Sequence, residues 1–482
     1  MAGAARSVRE ENKMGKHTVE KIGGTSMTAF GDVMRNVIIA DRKGSELYNR
    51  VFIVSAYGGV TNILLEHKKT GEPGVYAMFA AADPGWEDAL ENVRSTMSRL
   101  NESFRGIGLD VEKADAFVND RIDGMKKCLQ DLLRVGSFGH FKPSDYLPAT
   151  REFLAALGEA HSAYNSTLIL QANGVNARFV DLTGWKSPTA PPFDEAIRAA
   201  FEDVDLEREL PIATGYTKCD EGVMTTFDRG YSEITFARVA VITGASEGVI
   251  HKEFHLSTGD PKLIGEDNVE IIGHTNFDIA DQLADMDMEA IHSKASKVME
   301  RGGIPIRVKN VFDPEHPGTL ISDEENVSPT PKIDMICGRK DIVAIEVFDS
   351  SMVGQPGYDH ALLACLAERG ISYIAKNTNA NTITHYVPER SKGLDACVEA
   401  IKGRFSEAKV STSEVAIVAT MGSNMKVPGF LYRAAKALAD KGINILAFDQ
   451  CMRQVNMQFI VDRGDFEEAQ IALHAALVEN AG

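Results

Sequence analysis

The last third of the chain is written twice, and this repetition limits its folding more than any other feature of the sequence. When IVAIEVFDSSMVGQPGYDHALLACLAERGISYIAKNTNANTITHYV is laid over SEVAIVATMGSNMKVPGFLYRAAKALADKGINILAFDQCMRQVNMQFIV, Ile345 meets Ile417, Gly357 meets Gly429, Gly370 meets Gly442 and Ile371 meets Ile443, always 72 residues apart. Each copy reads as a strand, a Pro-Gly turn, an amphipathic helix stopped by glycine, two more strands and a closing helix, LDACVEAIKGRF or FEEAQIALHAAL. The repeat predicts two copies of one α+β module, at residues 333–410 and 411–482. The module itself names no ligand, because such turns and stops serve packing alone.

Ahead of the repeat the pattern changes. HTVEKI, RVFIVSA, ARFVDL and ELPIATGY are short β-branched runs separated by helix-length segments, the rhythm of an α/β domain with a mainly parallel sheet. Residues 62–153 lack such runs and carry apolar residues at spacings of three and four, which predicts a largely helical insertion. Residues 310–332 hold four prolines among acidic and small polar residues and mark a boundary. The first domain is therefore expected over 14–325, with 1–13 a disordered extension. A length of 482 residues accommodates this division.

Charge and cysteine usage exclude several classes. Lys and Arg total 51 against 69 Asp and Glu, a formal charge of -18, which is the wrong sign for nucleic acid or an anionic membrane. The six cysteines form no CxxC pair, so neither a zinc site nor a disulfide framework is expected, and a reducing cytoplasm fits. No run approaches the roughly 18 apolar residues of a membrane span, and the start has no apolar core for a signal peptide. The histidines form no HxxxH cluster, so no metal held by protein side chains is expected.

Four constellations carry chemistry. Lys21-Ile22-Gly23-Gly24-Thr25-Ser26 follows the first strand, where glycine amides and a fixed positive charge suit a phosphate, although a Gly-Gly turn is as readily structural. Ser55-Ala56-Tyr57-Gly58-Gly59-Val60-Thr61-Asn62 follows the second, and loops at the carboxyl ends of parallel strands are where an open sheet holds ligands. Thr225 to Ser232 sets hydroxyls and Arg229 before a helix, where the plainer reading of Ser232 is an N-cap. Gly158-Glu159-Ala160-His161-Ser162 lies within a helix, where glycine costs about 0.5–1 kcal/mol and so suggests a close approach by ligand or backbone. Taken alone, Glu159 fits a solvated helix charge and His161 a surface histidine.

In this order the four resemble the aspartokinases of the amino-acid kinase family. K-[FI]-G-G-T-S is matched by Lys21 to Ser26, V-S-A-x-x-G-x-T-N by Val54 to Asn62, G-E-x-x-S by Gly158 to Ser162, and T-G-x...T-T-x-x-R-G-x-S by Thr214 to Ser232. The duplicated tail is similar to tandem ferredoxin-like ACT regulatory domains, and GGVTNILLEHKKTGEPGVY, FDRGYSEITFA and HKEFHLS look like the aspartokinases encoded with ectoine-biosynthesis genes. The resemblance implies an open, mainly parallel sheet sandwiched by helices, and transfer of a phosphoryl group from ATP, carried with Mg²⁺, to the side-chain carboxylate of L-aspartate. It implies that Lys21, Gly23, Gly24, Thr25, Ser257, Asp260 and Lys262 hold the nucleotide. Ser55, Thr61, Glu159, Arg229 and Ser232 would hold aspartate, with Lys21 and Arg229 catalytic and the ACT-like modules self-associating and allosteric.

The departures from the motifs fall on the nucleotide side. Tyr231 stands for a glycine and Glu233 for an aspartate, and T-D-x-x-G-x-Y-T-x-D-P-R becomes His251 to Lys262 with only its distal half kept, which predicts weakened adenine contacts. A lysine that usually meets phosphate becomes Glu289. Two alternatives follow: a sibling kinase for glutamate or a carbamate, where the Glu159 and Arg229 pair demands a free α-amino acid and excludes carbamate and N-acylated substrates, and a catalytically weakened ACT sensor, which Lys21 disfavours.

Overall fold

The computed structural model describes residues 15–227, 230–286, 291–324, 328 and 330–479. The expected extension at 1–13 lies outside these residues. The strands are β1 Thr18–Ile22, β2 Arg50–Val54, β3 Ala177–Val180, β4 Leu210–Thr214, β5 Glu247–Lys252, β6 His274–Asn276, β7 Ile306–Asn310, β8 Thr319–Ser322, β9 Lys332–Phe348, β10 Ala375–Thr378, β11 Thr382–Pro388, β12 Lys409–Ser423, β13 Ala447–Asp449 and β14 Asn456–Asp462. Two compact units result, one of residues up to 255 with 291–323, the other of 256–290 with residues from 324 onward.

In the first unit the strand order is β3-β4-β2-β1-β5-β7-β8, parallel except for the β7–β8 pair. β2 and β4 are buried at every position, as expected for apolar runs covered by helices on both faces. Between β2 and β3 the chain is helical, dominated by Trp86–Ser103, Val111–Gly136 and Pro143–Ala172. The last of these explains its own glycine. A Cβ on Gly158 would lie 2.8 Å from the Cβ of Ala56, so the helix can sit against the loop after β2 only without a side chain there.

The face of the sheet away from Lys21 carries a buried charge network. Arg50 donates to both oxygens of Glu20, at 2.6 and 3.1 Å, and His251 Nε2 lies 2.7 Å from Glu20 Oε2. Burial would raise the Glu20 pKa, but Arg50 and His251 outweigh it and hold the carboxyl well below the usual range. His251, expected in the altered nucleotide segment, is instead spent on binding β5 to β1 and β2.

The second unit holds the sheet β10-β11-β9-β12-β14-β13. Ile345, Val347, Leu362, Leu366, Ile383 and Ile401 make one core; Ala416, Val418, Leu438, Phe459, Val461 and Leu473 make the other. The long β9 and β12 run antiparallel through both. Ile333 and Ile336, at the start of β9, belong to the second core, whereas Val410, at the start of β12, packs on the first. The second module is thus discontinuous in sequence, its first strand lying ahead of the first module.

Candidate active site

The two glycine loops leave the sheet side by side. The Ser55 amide donates to the Ile22 carbonyl at 3.2 Å, and the Gly58 amide donates to Thr28 Oγ1 at 2.9 Å. A Cβ on Gly24 would stand 2.6 Å from the Ala56 carbonyl oxygen, so the loops can meet only with glycine there. A Cβ on Gly23 would find nothing closer than 4.0 Å, leaving that backbone open to a ligand. Thr25, next in the loop, is exposed, while Ser26 is buried and donates to Glu253 Oε1 at 2.6 Å.

Helix Pro143–Ala172 brings the next groups. Ser162 donates to the Ser55 carbonyl at 2.8 Å, which fixes the second loop on the helix. One turn earlier, Glu159 is only 2% exposed; its Oε1 accepts from Ser232 Oγ at 2.7 Å, and among the described residues its Oε2 has no hydrogen-bond partner. Burial raises its pKa to about 8 against the opposing pull of Ser232, Tyr231, Lys21 and the Ala56 amide. A buried carboxyl left half-satisfied is costly alone and suits an incoming cation. His161 is also fully buried, with Nε2 2.6 Å from Asn101 Oδ1, and desolvation lowers its pKa to about 3. Neither residue lies on the solvent face that each would occupy if read alone.

Helix Tyr231–Thr243 starts with Gly230 at its cap, so Ser232 serves Glu159 and does not cap the helix. Beside it Glu233 receives Lys21 Nζ at 3.2 Å and the backbone amide of His292. Burial would raise the Glu233 pKa, but Lys21, Lys252 and that amide outweigh it and hold the group ionised. Lys21, Ser55, Glu159 and Ser232 are thereby gathered at the carboxyl ends of β1, β2 and β4, with Thr61 half-buried at the start of helix Val60–Leu64. Arg229 and Glu289 lie outside the described residues.

Ser257, Asp260 and Lys262 belong to the second unit and have partners there. Ser257 donates to the Gly259 carbonyl at 2.8 Å, and Asp260 accepts from the Lys262 amide at 2.9 Å, capping helix Pro261–Ile264. The neighbouring Thr258 hydroxyl lies 2.9 Å from His474 Nε2, and its carbonyl accepts from the Ile336 amide at 2.8 Å.

Sequence reasoning missed Glu152. It lies two helical turns before Glu159, and that spacing was the available signal. Its Oε1 accepts from the Thr225 amide at 2.9 Å, and its Oε2 accepts from the Tyr216 hydroxyl at 2.9 Å. It therefore fixes both flanks of the segment that leads to Ser232. Glu152→Ala is expected to destabilise the fold by about 1–3 kcal/mol by leaving the buried Tyr216 hydroxyl and the Thr225 amide without an acceptor. Differential scanning calorimetry of parent and variant would check this, and an unchanged Tm would contradict it.

Comparison with known proteins gives the family of the chain. Residues 16–310 match the model of the amino acid kinase family, and residues 418–477 match that of an ACT domain. The chain is 49% identical over 465 residues to aspartate kinase Ask_Ect of Stutzerimonas stutzeri (strain A1501), an alignment covering 96% of this chain and 98% of that one. It is 25% identical over 506 residues to the chloroplastic aspartokinase 1 of Arabidopsis thaliana, covering 98% and 82%. The fold is shared with E. coli aspartokinase III solved with lysine and aspartate, at a TM-score of 0.73 and 20% identity over 96% of this chain and all of that one. The chain belongs to the amino acid kinase family and, within it, to the aspartate kinases.

Proposed function

We propose that the protein transfers the γ-phosphoryl group of ATP to the side-chain carboxylate of L-aspartate, giving 4-phospho-L-aspartate. The observation that carries this reading is Glu159, a buried carboxyl with one oxygen satisfied by Ser232 and the other without a partner among the described residues, near enough to Lys21 to feel its charge. It suits the α-ammonium of an amino acid. Arg229 and the hydroxyls of Ser55 and Thr61 suit the α-carboxylate, a planar group that a guanidinium binds in two places, while Ser232 holds Glu159 in place. The side-chain carboxylate is then directed toward Lys21 and the amides of Gly23 and Gly24.

No general base is required, because a carboxylate is already ionised at neutral pH. The barrier lies in bringing one anion in line with a polyanion, so positive charge and positioning supply the catalysis. ATP enters with Mg²⁺, which neutralises phosphate charge when bound; Thr25 is the further nucleotide contact in this reading. The second unit serves regulation and self-association, and the 4-phospho-L-aspartate feeds aspartate-derived synthesis, with ectoine a candidate end product. ADP release measured across amino acids tests the assignment. Aspartate should be turned over while N-acetylaspartate, which lacks the ammonium, is not; equal turnover of the two would remove Glu159 from the substrate site.

A further inference from the structure

The face of the sheet away from Lys21 also holds a large polar cavity. Alternate residues of neighbouring parallel strands share a face, so Glu20 of β1, His251 of β5 and Arg307 and Lys309 of β7 lie together, with Arg50 of β2 beside them. With the chain between residues 34 and 50 they line a space of about 1280 Å³. A small molecule, whose sites run to roughly 300–1,000 Å³, has ample room there.

Most of the buried and half-buried charge around this cavity is paired. Glu20 holds Arg50, and Arg307 lies 2.7 Å from Glu247. Arg42 and Lys309 differ: neither makes an ion pair among the described residues, and each donates to a backbone carbonyl, Arg42 to Val37 and Lys309 to Pro314, both at 2.9 Å. Both are half-buried. The other carboxylates of the lining, Asp41, Glu46 and Glu315, are exposed, as is Lys16, and water and salt screen exposed charges far more than half-buried ones. Two cations are thus left inside without an acid to answer them. Burial pulls both below their ordinary pKa values, as expected where no counter-ion offsets the loss of water. His251, only 4% exposed, lines the same cavity, and its Nδ1 has no hydrogen-bond partner among the described residues.

We propose that this cavity binds a small molecule carrying two negative charges on oxygen, with Arg42 and Lys309 as its counter-ions and His251 as a further polar contact. Hydrogen bonds from a guanidinium and an ammonium to an oxyanion are charge-assisted and among the strongest a protein makes. A cationic ligand finds no such partner, because Glu20 and Glu247 are already taken by Arg50 and Arg307. The occupant rests on β1, the strand that sets Lys21 on the opposite face, which suits a regulatory anion and not a reacting one. The proposal does not depend on the kinase reading.

Inorganic phosphate, with its charge on one group, and succinate, with two carboxylates, are the probes. Calorimetric titrations at constant ionic strength, with MgADP and L-aspartate present to occupy the cleft on the other face, should show saturable binding of at least one of them. Which one binds identifies the group that carries the charge. Arg42→Gln and Lys309→Gln should each weaken that binding at least about tenfold, while Arg42→Lys and Lys309→Arg, which keep the charge, should stay within about threefold of the parent. Binding of neither anion, or equal binding by the parent and the glutamine variants, would overturn the proposal. Should a variant fold poorly by circular dichroism, acetylation of the parent by acetic anhydride, read by mass spectrometry, decides the matter. The bound anion should protect Lys309 and leave the exposed Lys43 unchanged; no protection of Lys309 would overturn the proposal.

Discussion

Lys21→Met is expected to lower turnover by about 10²–10³, a loss of about 3–4 kcal/mol of transition-state stabilisation, while aspartate affinity changes little. Lys21 is almost fully buried and already paired with Glu233 at 3.2 Å, so the cost of ordering its long side chain is met before nucleotide arrives. That is the condition under which a charge stabilises a transition state most, since nothing must reorganise as the phosphoryl group moves. Methionine keeps the packing of the stem, and Lys252 with the His292 amide still faces Glu233, so the fold should survive. Rapid-mix single-turnover kinetics with circular dichroism as a folding control would measure the effect. Near-normal turnover in a folded variant would remove the phosphate role from the first glycine loop.

Glu159→Gln should abolish useful aspartate binding and yet stabilise the ligand-free protein. Removing one partner of a buried charge pair costs about 2–5 kcal/mol, which raises the aspartate KM by tens to thousands of fold. The stability effect has the opposite sign. The folded protein holds the Glu159 proton up to about pH 8, whereas the unfolded chain releases it near the ordinary carboxyl value of 4.5. Between those values the folded state binds more protons, so this group's contribution to stability declines as pH rises through the window. Glutamine removes the penalty, worth about 3 kcal/mol at neutral pH, and should raise Tm by several degrees there but scarcely at pH 4.

The same titration governs substrate capture. Glu159 must be ionised to receive an ammonium group, so kcat/KM for aspartate should climb about tenfold per pH unit below pH 8 and level off above it. Glu159→Gln should flatten that profile. A parent profile already flat between pH 6 and 8 would show that Glu159 does not meet the substrate.

The parts of this molecule legible in its sequence are those set by neighbours along the chain. The strands RVFIV and LPIAT announce themselves by continuous apolar runs, and both are fully buried in the sheet. The loops at Gly23-Gly24 and Gly58-Gly59 are placed by the strands before them, and the duplicated modules by a constant spacing. What the sequence hides depends on partners far along the chain. Glu159 and His161 look like solvated residues of a helix until Ser232 and Asn101 arrive as their buried partners. His251 sits in a segment where a nucleotide contact is expected, but Glu20, 231 positions away, claims it. The strand at Ile333 to Ile336 falls within the residues expected for the first module yet packs in the second core, which spacing alone cannot reveal.

Acyl phosphates react with hydroxylamine to give coloured hydroxamates, and that chemistry supplies the most direct test of the central claim. With parent protein, MgATP, L-aspartate and hydroxylamine, aspartyl hydroxamate should accumulate in a one-to-one ratio with ADP. Lys21→Met should suppress both products together, and Glu159→Gln should suppress both at ordinary aspartate concentrations. ADP released without hydroxamate, or no ADP released at any aspartate concentration, would contradict the account.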